Sequence, residues 1–179
     1  MNKLIAVSIG DIKGIGIEIL INEWKKCNIS NFVLITNYKL FKKYLASKKV
    51  KIKIFKCSFE NHKLIFSKDS FNVFDIKANN HNDNTLASLK EGYKLVKKNH
   101  FIGILTLPIN KKKINKINSS FKDQTSFLTQ EDRKKISNMI FVHKKLIFVP
   151  LTTHIEIKKV SRSFKQKEKI VEKIQCLKN

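Results

Sequence analysis

The chain has 179 residues, enough for one sizeable core or for one domain plus part of another. Apolar residues make up 42%, an ordinary share for a globular protein, and no apolar run is long enough to span a bilayer. Lysine and arginine total 37 against 14 aspartate and glutamate, a formal charge of +23; the excess is almost all lysine, spread along the chain, with arginine only at 133 and 162. This pattern favours a solvated lysine-rich surface over base readout, which leans on arginine. A basic nucleic-acid-binding or scaffold protein without catalytic activity stands as the alternative.

Cys27, Cys57 and Cys176 are widely spaced and form no CxxC pattern, which points to neither a disulfide framework nor a zinc knuckle. The opening apolar stretch ends in Gly10 and Asp11 and lacks the features of a signal peptide. The expectation is a cytoplasmic chain without membrane segments.

In chain order, residues 3–9 read as a strand and the segment from Ile17 to Lys26 as a helix. Residues 31–37 read as a second strand, and "YKLFKKYLASKK" as an amphipathic helix. "VKIKIFKC" (50–57) alternates, as a strand with one wet face does. "HKLIFSKDSFNVFDI" is expected to be a hairpin or an edge element, and "ANNHNDN" (78–84) a loop. Thr85 is the expected cap of the next helix, with apolar positions at 86, 89, 93 and 96. "FIGILTLP" (101–108) reads as a buried strand, followed by a polar helix or loop and then by loop and helix. The segment 139–154 reads as two strands, with Leu146 to Val149 interior, and the chain closes with helix. Strands alternating with helices predict an α/β fold with a doubly wound parallel sheet.

Gly10, Gly14 and Gly16 fall in the first strand–turn–helix, flanked by Asp11 and Glu18. Their order, G-x-x-x-G-x-G, is not the dinucleotide fingerprint, and a plain turn is slightly favoured over phosphate binding. Lys111 follows a strand exit, where a lysine can hold a phosphate or polarise a carbonyl, but one more surface lysine among many is the favoured reading. Gln124 and Thr125 are neutral hydrogen-bonders suited to a phosphate or a hydroxyl. His154 follows Thr152 and Thr153 after an apolar run; it reads as a metal ligand, a catalytic base or an ordinary hydrogen-bonded histidine. His62, His81, His100 and His143 lack ligand-like spacing and read as surface residues.

Taken in order, four segments resemble one family. "IAVSIGDIKGIGIEI" is similar to its opening Gly-Asp-Pro and Gly-Ile-Gly-Pro-Glu turn. "TLASLKEGYKLVKKNHFIGILTLPINK" is similar to its helix, strand and Thr-x-Pro-Ile-Asn-Lys motif. "SFKDQTSFL" stands where the family has Gly-His-Thr-Glu, and "LIFVPLTTHIEIKKV" resembles its Thr-Thr-His-Ile-Pro segment. The family is 4-hydroxythreonine-4-phosphate dehydrogenase, of pyridoxal phosphate biosynthesis, and the resemblance is to its N-terminal half.

The resemblance implies an isocitrate-dehydrogenase-like doubly wound sheet with helices on both faces, truncated here. It implies oxidation and decarboxylation of 4-phosphohydroxy-L-threonine with NAD or NADP. It also implies a divalent metal held by three histidines, zinc in the first place, with magnesium or cobalt as alternatives. By position His154 matches a metal histidine, Thr125 a substrate-binding threonine, and Gln124 the histidine of the His-Thr pair. Residues 1–120 are then an N-terminal α/β domain, and 121–179 the start of a metal and substrate domain. The family's chains are nearly twice as long, and its other metal histidines fall beyond Asn179. Ile12 and Ile17 replace two prolines, Ser126 an acidic residue and Glu156 a proline. The expected partners are a phosphorylated small molecule and a second copy of the chain or a complementing C-terminal polypeptide; the isolated chain is expected to be inactive.

Overall fold

The structure, a computed structural model, describes residues 4–134, 136–152, 155–165 and 167–177. It divides into two compact units, one up to Leu128 and one from Thr129. Among the described residues no helix is long and apolar enough to cross a membrane.

The first unit runs β1 (Ile5–Ser8), α1 (Ile15–Lys25), β2 (Phe32–Thr36), α2 (Tyr38–Ser47), β3 (Ile54–Glu60), β4 (Lys63–Ile65), β5 (Phe71–Asp75), α3 (His81–Lys97), β6 (Ile104–Thr106) and α4 (Lys111–Asn115). The sheet order is β4-β3-β5-β2-β1-β6. Five strands are parallel, with Ile5 opposite Phe32, Ala6 opposite Ile104, Leu34 opposite Val73 and Ile54 opposite Phe71. β4 folds back antiparallel on β3, so one edge of the sheet is mixed.

Alternation along the strands feeds two cores. On one face Val7, Leu34, Phe71 and Val73 pack with Leu20 and Ile21 of α1 and Phe41 and Leu45 of α2. Phe71 anchors that layer, with Trp24, Phe32 and Phe41 rings around it at 5.3–5.6 Å. On the other face Ala6, Val33, Ile35 and Cys57 pack with Leu95 and Phe101. Helices thus cover both faces, as a doubly wound sheet requires.

The structure departs from the sequence reading in three segments of this unit. Within "HKLIFSKDSFNVFDI", β4 is the expected edge strand, in a hairpin with β3, but 71–75 is no edge element: β5 lies between β3 and β2, and its first three residues are buried. "ANNHNDN" is no loop throughout, because Asn80 caps α3 through the amides of Asn82 and Asp83; Thr85, expected as the cap, is buried within the helix. β6 is short and only partly buried, since it pairs with β1 alone.

α5 covers Gln124–Glu131. In the second unit β7 (Phe141–His143) and β8 (Leu146–Phe148) form an antiparallel hairpin, turned at Lys144 with φ 52°. Leu146–Phe148 was expected to be interior, but these residues are exposed, because β8 pairs with β7 alone and side chains leave both faces of the ribbon. The terminal helix is two helices, α6 (Ile157–Phe164) and α7 (Lys167–Gln175). Lys173 donates to the Leu151 carbonyl and accepts at its own carbonyl from Asn138, which ties α7 to the segments around the hairpin.

Candidate functional site

Chain direction marks where to look. β1 leads through α1 to β2 on one side, while β5 leads through α3 to β6 on the other. The carboxyl ends of β1 and β6 therefore flank the point where strand order reverses, the usual ligand position in open α/β sheets.

The backbone there is built by close approach. The amide of Asp11 donates to the Pro108 carbonyl at 2.8 Å. Gly10 has φ +63°, and a Cβ on it would lie 2.5 Å from the Pro108 oxygen. A Cβ on Gly16 would lie 2.7 Å from the Pro108 ring. These two glycines let the first turn seat against the β6 exit, which accounts for them without a phosphate.

α3 is fastened to the same strand ends by a buried polar face. Thr85 donates to the Gly10 carbonyl at 2.6 Å. Ser88 accepts from the Ile9 amide at 2.9 Å and donates to the Ile35 carbonyl. Asn84 accepts from the Asn37 amide at 2.7 Å and donates to Thr36 Oγ1 at 2.9 Å. These contacts fix the first turns of α3 over β1 and β2.

Charged groups then gather at the exit. Lys113, from α4, pairs with Asp11 at 2.9 Å, and Asp11 is only 17% exposed. The Lys13 amide donates to the other Asp11 oxygen at 3.1 Å. His81 opens α3; its Nδ1 is buried and has no hydrogen-bond partner. Burial holds the imidazole below the ordinary histidine range; Lys13, Lys113 and Lys43 push the same way, and Asp11 opposes them.

The sequence candidates fall beside this cluster. Asn110 caps α4, and the exposed Lys111 is its first residue. Asp123 caps α5, accepting from the Ser126 amide at 2.7 Å and the Ser126 hydroxyl at 2.9 Å. The Ser126 amide chiefly holds the Asp123 carboxyl below its usual range; Ser126 Oγ, Lys111 and the Thr125 amide add to it against some burial. Gln124 and Thr125 therefore occupy the first turn of α5. Gln124 donates to the Leu107 carbonyl at 2.9 Å, while Thr125 is exposed. Lys111, Gln124 and Thr125 thus lie near the β6 exit.

His154 lies outside the described residues. Among the described residues no three His, Cys, Asp or Glu side chains are grouped to hold a metal ion.

Sequence reasoning missed the Asp11–Lys113 pair, which spans 102 positions, and the cap at Asp123. It also read His81 and His100 as surface residues. Both are half-buried, His100 against the Phe59 ring at 4.3 Å. The available signal for His81 was Asn80, a capping residue directly before it.

The pyridoxal phosphate biosynthetic protein PdxA family model matches residues 28–179. A curated relative, 4-hydroxythreonine-4-phosphate dehydrogenase of Aquifex aeolicus, is 39% identical over 75 residues, covering 42% of this chain and 23% of the relative. The crystal structure of 4-hydroxythreonine-4-phosphate dehydrogenase from Klebsiella pneumoniae is similar in fold, with a TM-score of 0.74 at 21% identity, covering 89% of this chain and 52% of that one. The enzyme of that name from Burkholderia phymatum gives 0.72 at 17% identity, covering 93% and 57%. The chain thus spans about half the length of these solved structures, and its match to the curated relative reaches 23% of that protein. It belongs to the PdxA family.

Proposed function

We propose that the chain contributes the N-terminal part of a 4-hydroxythreonine-4-phosphate dehydrogenase site, acting in pyridoxal phosphate biosynthesis on 4-phosphohydroxy-L-threonine. The observation that carries this reading is the meeting of Asp11, Lys113, Lys111 and Gln124 at the β1/β6 exit, in a chain of this family. In this reading Lys111 and Lys113 attract the substrate's anionic groups, and Gln124 and Thr125 hydrogen-bond its oxygens. A nicotinamide cofactor, NAD or NADP, accepts the hydride. Residues 121–179 begin the domain that carries the metal, with His154 as one ligand. Gln124 cannot carry a proton or a charge as a histidine would, so its part is confined to holding an oxygen.

The rest of the site comes from a segment or polypeptide equivalent to the uncovered part of the relatives, or from a second copy. The chain alone therefore binds substrate weakly and turns over little or none. The test is calorimetric titration of the pure chain with 4-phosphohydroxy-L-threonine, alongside reduction of NAD and NADP in the presence of zinc. Saturable binding lost in Lys113→Met supports the reading. Rapid turnover by the pure chain refutes the partial site, and absence of substrate binding refutes the reading as a whole.

A further inference from the structure

We propose that His81 is a ligand-binding residue of the strand-exit cluster, donating Nε2–H to an anionic oxygen drawn in by Lys13 and Lys113. Nothing in the resemblance assigns this residue; the inference rests on the reading of the β1/β6 exit as a substrate site and adds a residue to it.

His81 carries an unpartnered nitrogen. Nδ1 is buried and makes no hydrogen bond. A buried N–H without an acceptor is costly, and a buried lone pair is the lesser penalty. The neutral ring therefore keeps its proton on Nε2. The ring is half-buried, not enclosed, which leaves Nε2 as the nitrogen that can meet a ligand. A protonated ring would bury an N–H at Nδ1, so the same geometry opposes charging. The surrounding charges agree: Lys13 from the first turn, Lys113 from α4 and Lys43 from α2 all disfavour the imidazolium, against Asp11 alone. A ring so placed serves as a fixed neutral donor.

The anion follows from the charge balance. Lys113 is already paired with Asp11, and Lys13 is exposed beside them with no carboxylate of its own in this group. The three cations around His81 outnumber the one anion. The end of α3 is not the anchor, because Asn80 already takes the amides of Asn82 and Asp83. The ligand is thus recognised by side chains, as a phosphate or a carboxylate of a small molecule. Phosphate is favoured, since Asp11 offsets one of the three lysines and the two positive charges left over exceed what one carboxylate neutralises.

The test uses the full chain labelled with 15N-histidine. Long-range 1H–15N spectra near neutral pH report the His81 tautomer, assigned through the backbone so that no variant is needed. The expected result is the neutral Nε2–H form, shifting saturably with inorganic phosphate and less with acetate at equal ionic strength. A saturable shift larger with acetate reassigns the site to a carboxylate and overturns the phosphate assignment. An Nδ1–H tautomer, or an imidazolium, overturns the role of His81 whatever binds nearby. A response no greater than that to chloride means an adventitious ion only. His81→Phe is expected to weaken phosphate binding about tenfold, and His81→Gln, which keeps an N–H donor, to restore most of it. Equal losses in both variants overturn the donor role. Failure of the dehydrogenase reading is separate: it shows as absent binding of phosphohydroxythreonine while the His81 response to phosphate persists.

Discussion

Replacing Ser88 by alanine probes the polar seam that holds α3 on the sheet. Ser88 is buried and links two strand ends, accepting from the Ile9 amide at 2.9 Å and donating to the Ile35 carbonyl. Alanine differs by one oxygen, so the cavity term is small and the loss comes from unpaired groups. Ile9 is fully buried and lies just past β1, so its N–H has no strand partner to fall back on. An orphaned buried donor costs about 1–3 kcal/mol, and the loss at the Ile35 carbonyl adds about 1 kcal/mol. The expected destabilisation is therefore about 2–4 kcal/mol, or roughly 4–16 °C in Tm for a chain of this size.

The assay is urea denaturation followed by Trp24 fluorescence. Trp24 is the single tryptophan and packs edge-on against Phe71 in the opposite core layer, so it reports cooperative unfolding of the first unit. Lys39→Ala, on the exposed side of α2, serves as a control expected within about 0.5 kcal/mol. A Ser88→Ala loss below about 0.5 kcal/mol at unchanged m-value would refute the seam as a source of stability.

Gly10→Ala should cost about 2 kcal/mol or more in the same assay, because φ is +63° and the new Cβ meets the Pro108 carbonyl; wild-type stability would contradict the close approach drawn here. Burial pushes the Cys57 thiol up to about 12, so alkylation near pH 8 followed by mass spectrometry should modify Cys27 and Cys176 and spare Cys57 until denaturant is added. His81 supplies an acid limb to the stability profile. Above the ordinary histidine value of 6.5 both states are neutral; below it the unfolded chain binds a proton that the native ring resists, so stability falls with pH until the native ring also protonates. Denaturation midpoints at about pH 7 and about pH 5.5 should show this decline, and His81→Gln should flatten it.

Much of the first unit is legible in the chain, because apolar period and turn residues agree there. The strand and helix from Ile5 to Lys25, the pair from Phe32 to Ser47, and the hairpin at 141–148 all follow from hydrophobic spacing. Spacing fails where burial is polar. The face of α3 that meets the sheet carries Asn84, Thr85 and Ser88, which a hydrophobicity pattern assigns to solvent or to a cap. It also fails for position in the sheet. "FNVFD" has the look of an edge, yet the chain returns between β3 and β2, an order set by crossover connections and not by the segment itself. An apolar run likewise does not by itself specify interior packing, as the exposed Leu146–Phe148 shows.

The candidate site divides in the same way. Motif resemblance reaches Lys111, Gln124 and Thr125, which are close in sequence and share the β6 exit. It does not reach Asp11 with Lys113, or His81, because these meet only after α3 has crossed the sheet. The buried polar seam links the two halves of the argument. Thr85 and Ser88 hold α3 to the carbonyl of Gly10 and the amide of Ile9, the residues directly before Asp11. His81 lies one helical turn before Thr85, and Thr85 also donates to the His81 carbonyl at 3.1 Å. The bonds that replace apolar packing on this helix are thus the same ones that set the imidazole beside the Asp11–Lys113 pair. On this account Ser88→Ala should reach the site as well as the fold: in partly destabilised but still folded protein, the His81 response to phosphate should weaken along with stability. A fully retained response would separate the seam from the placement of His81.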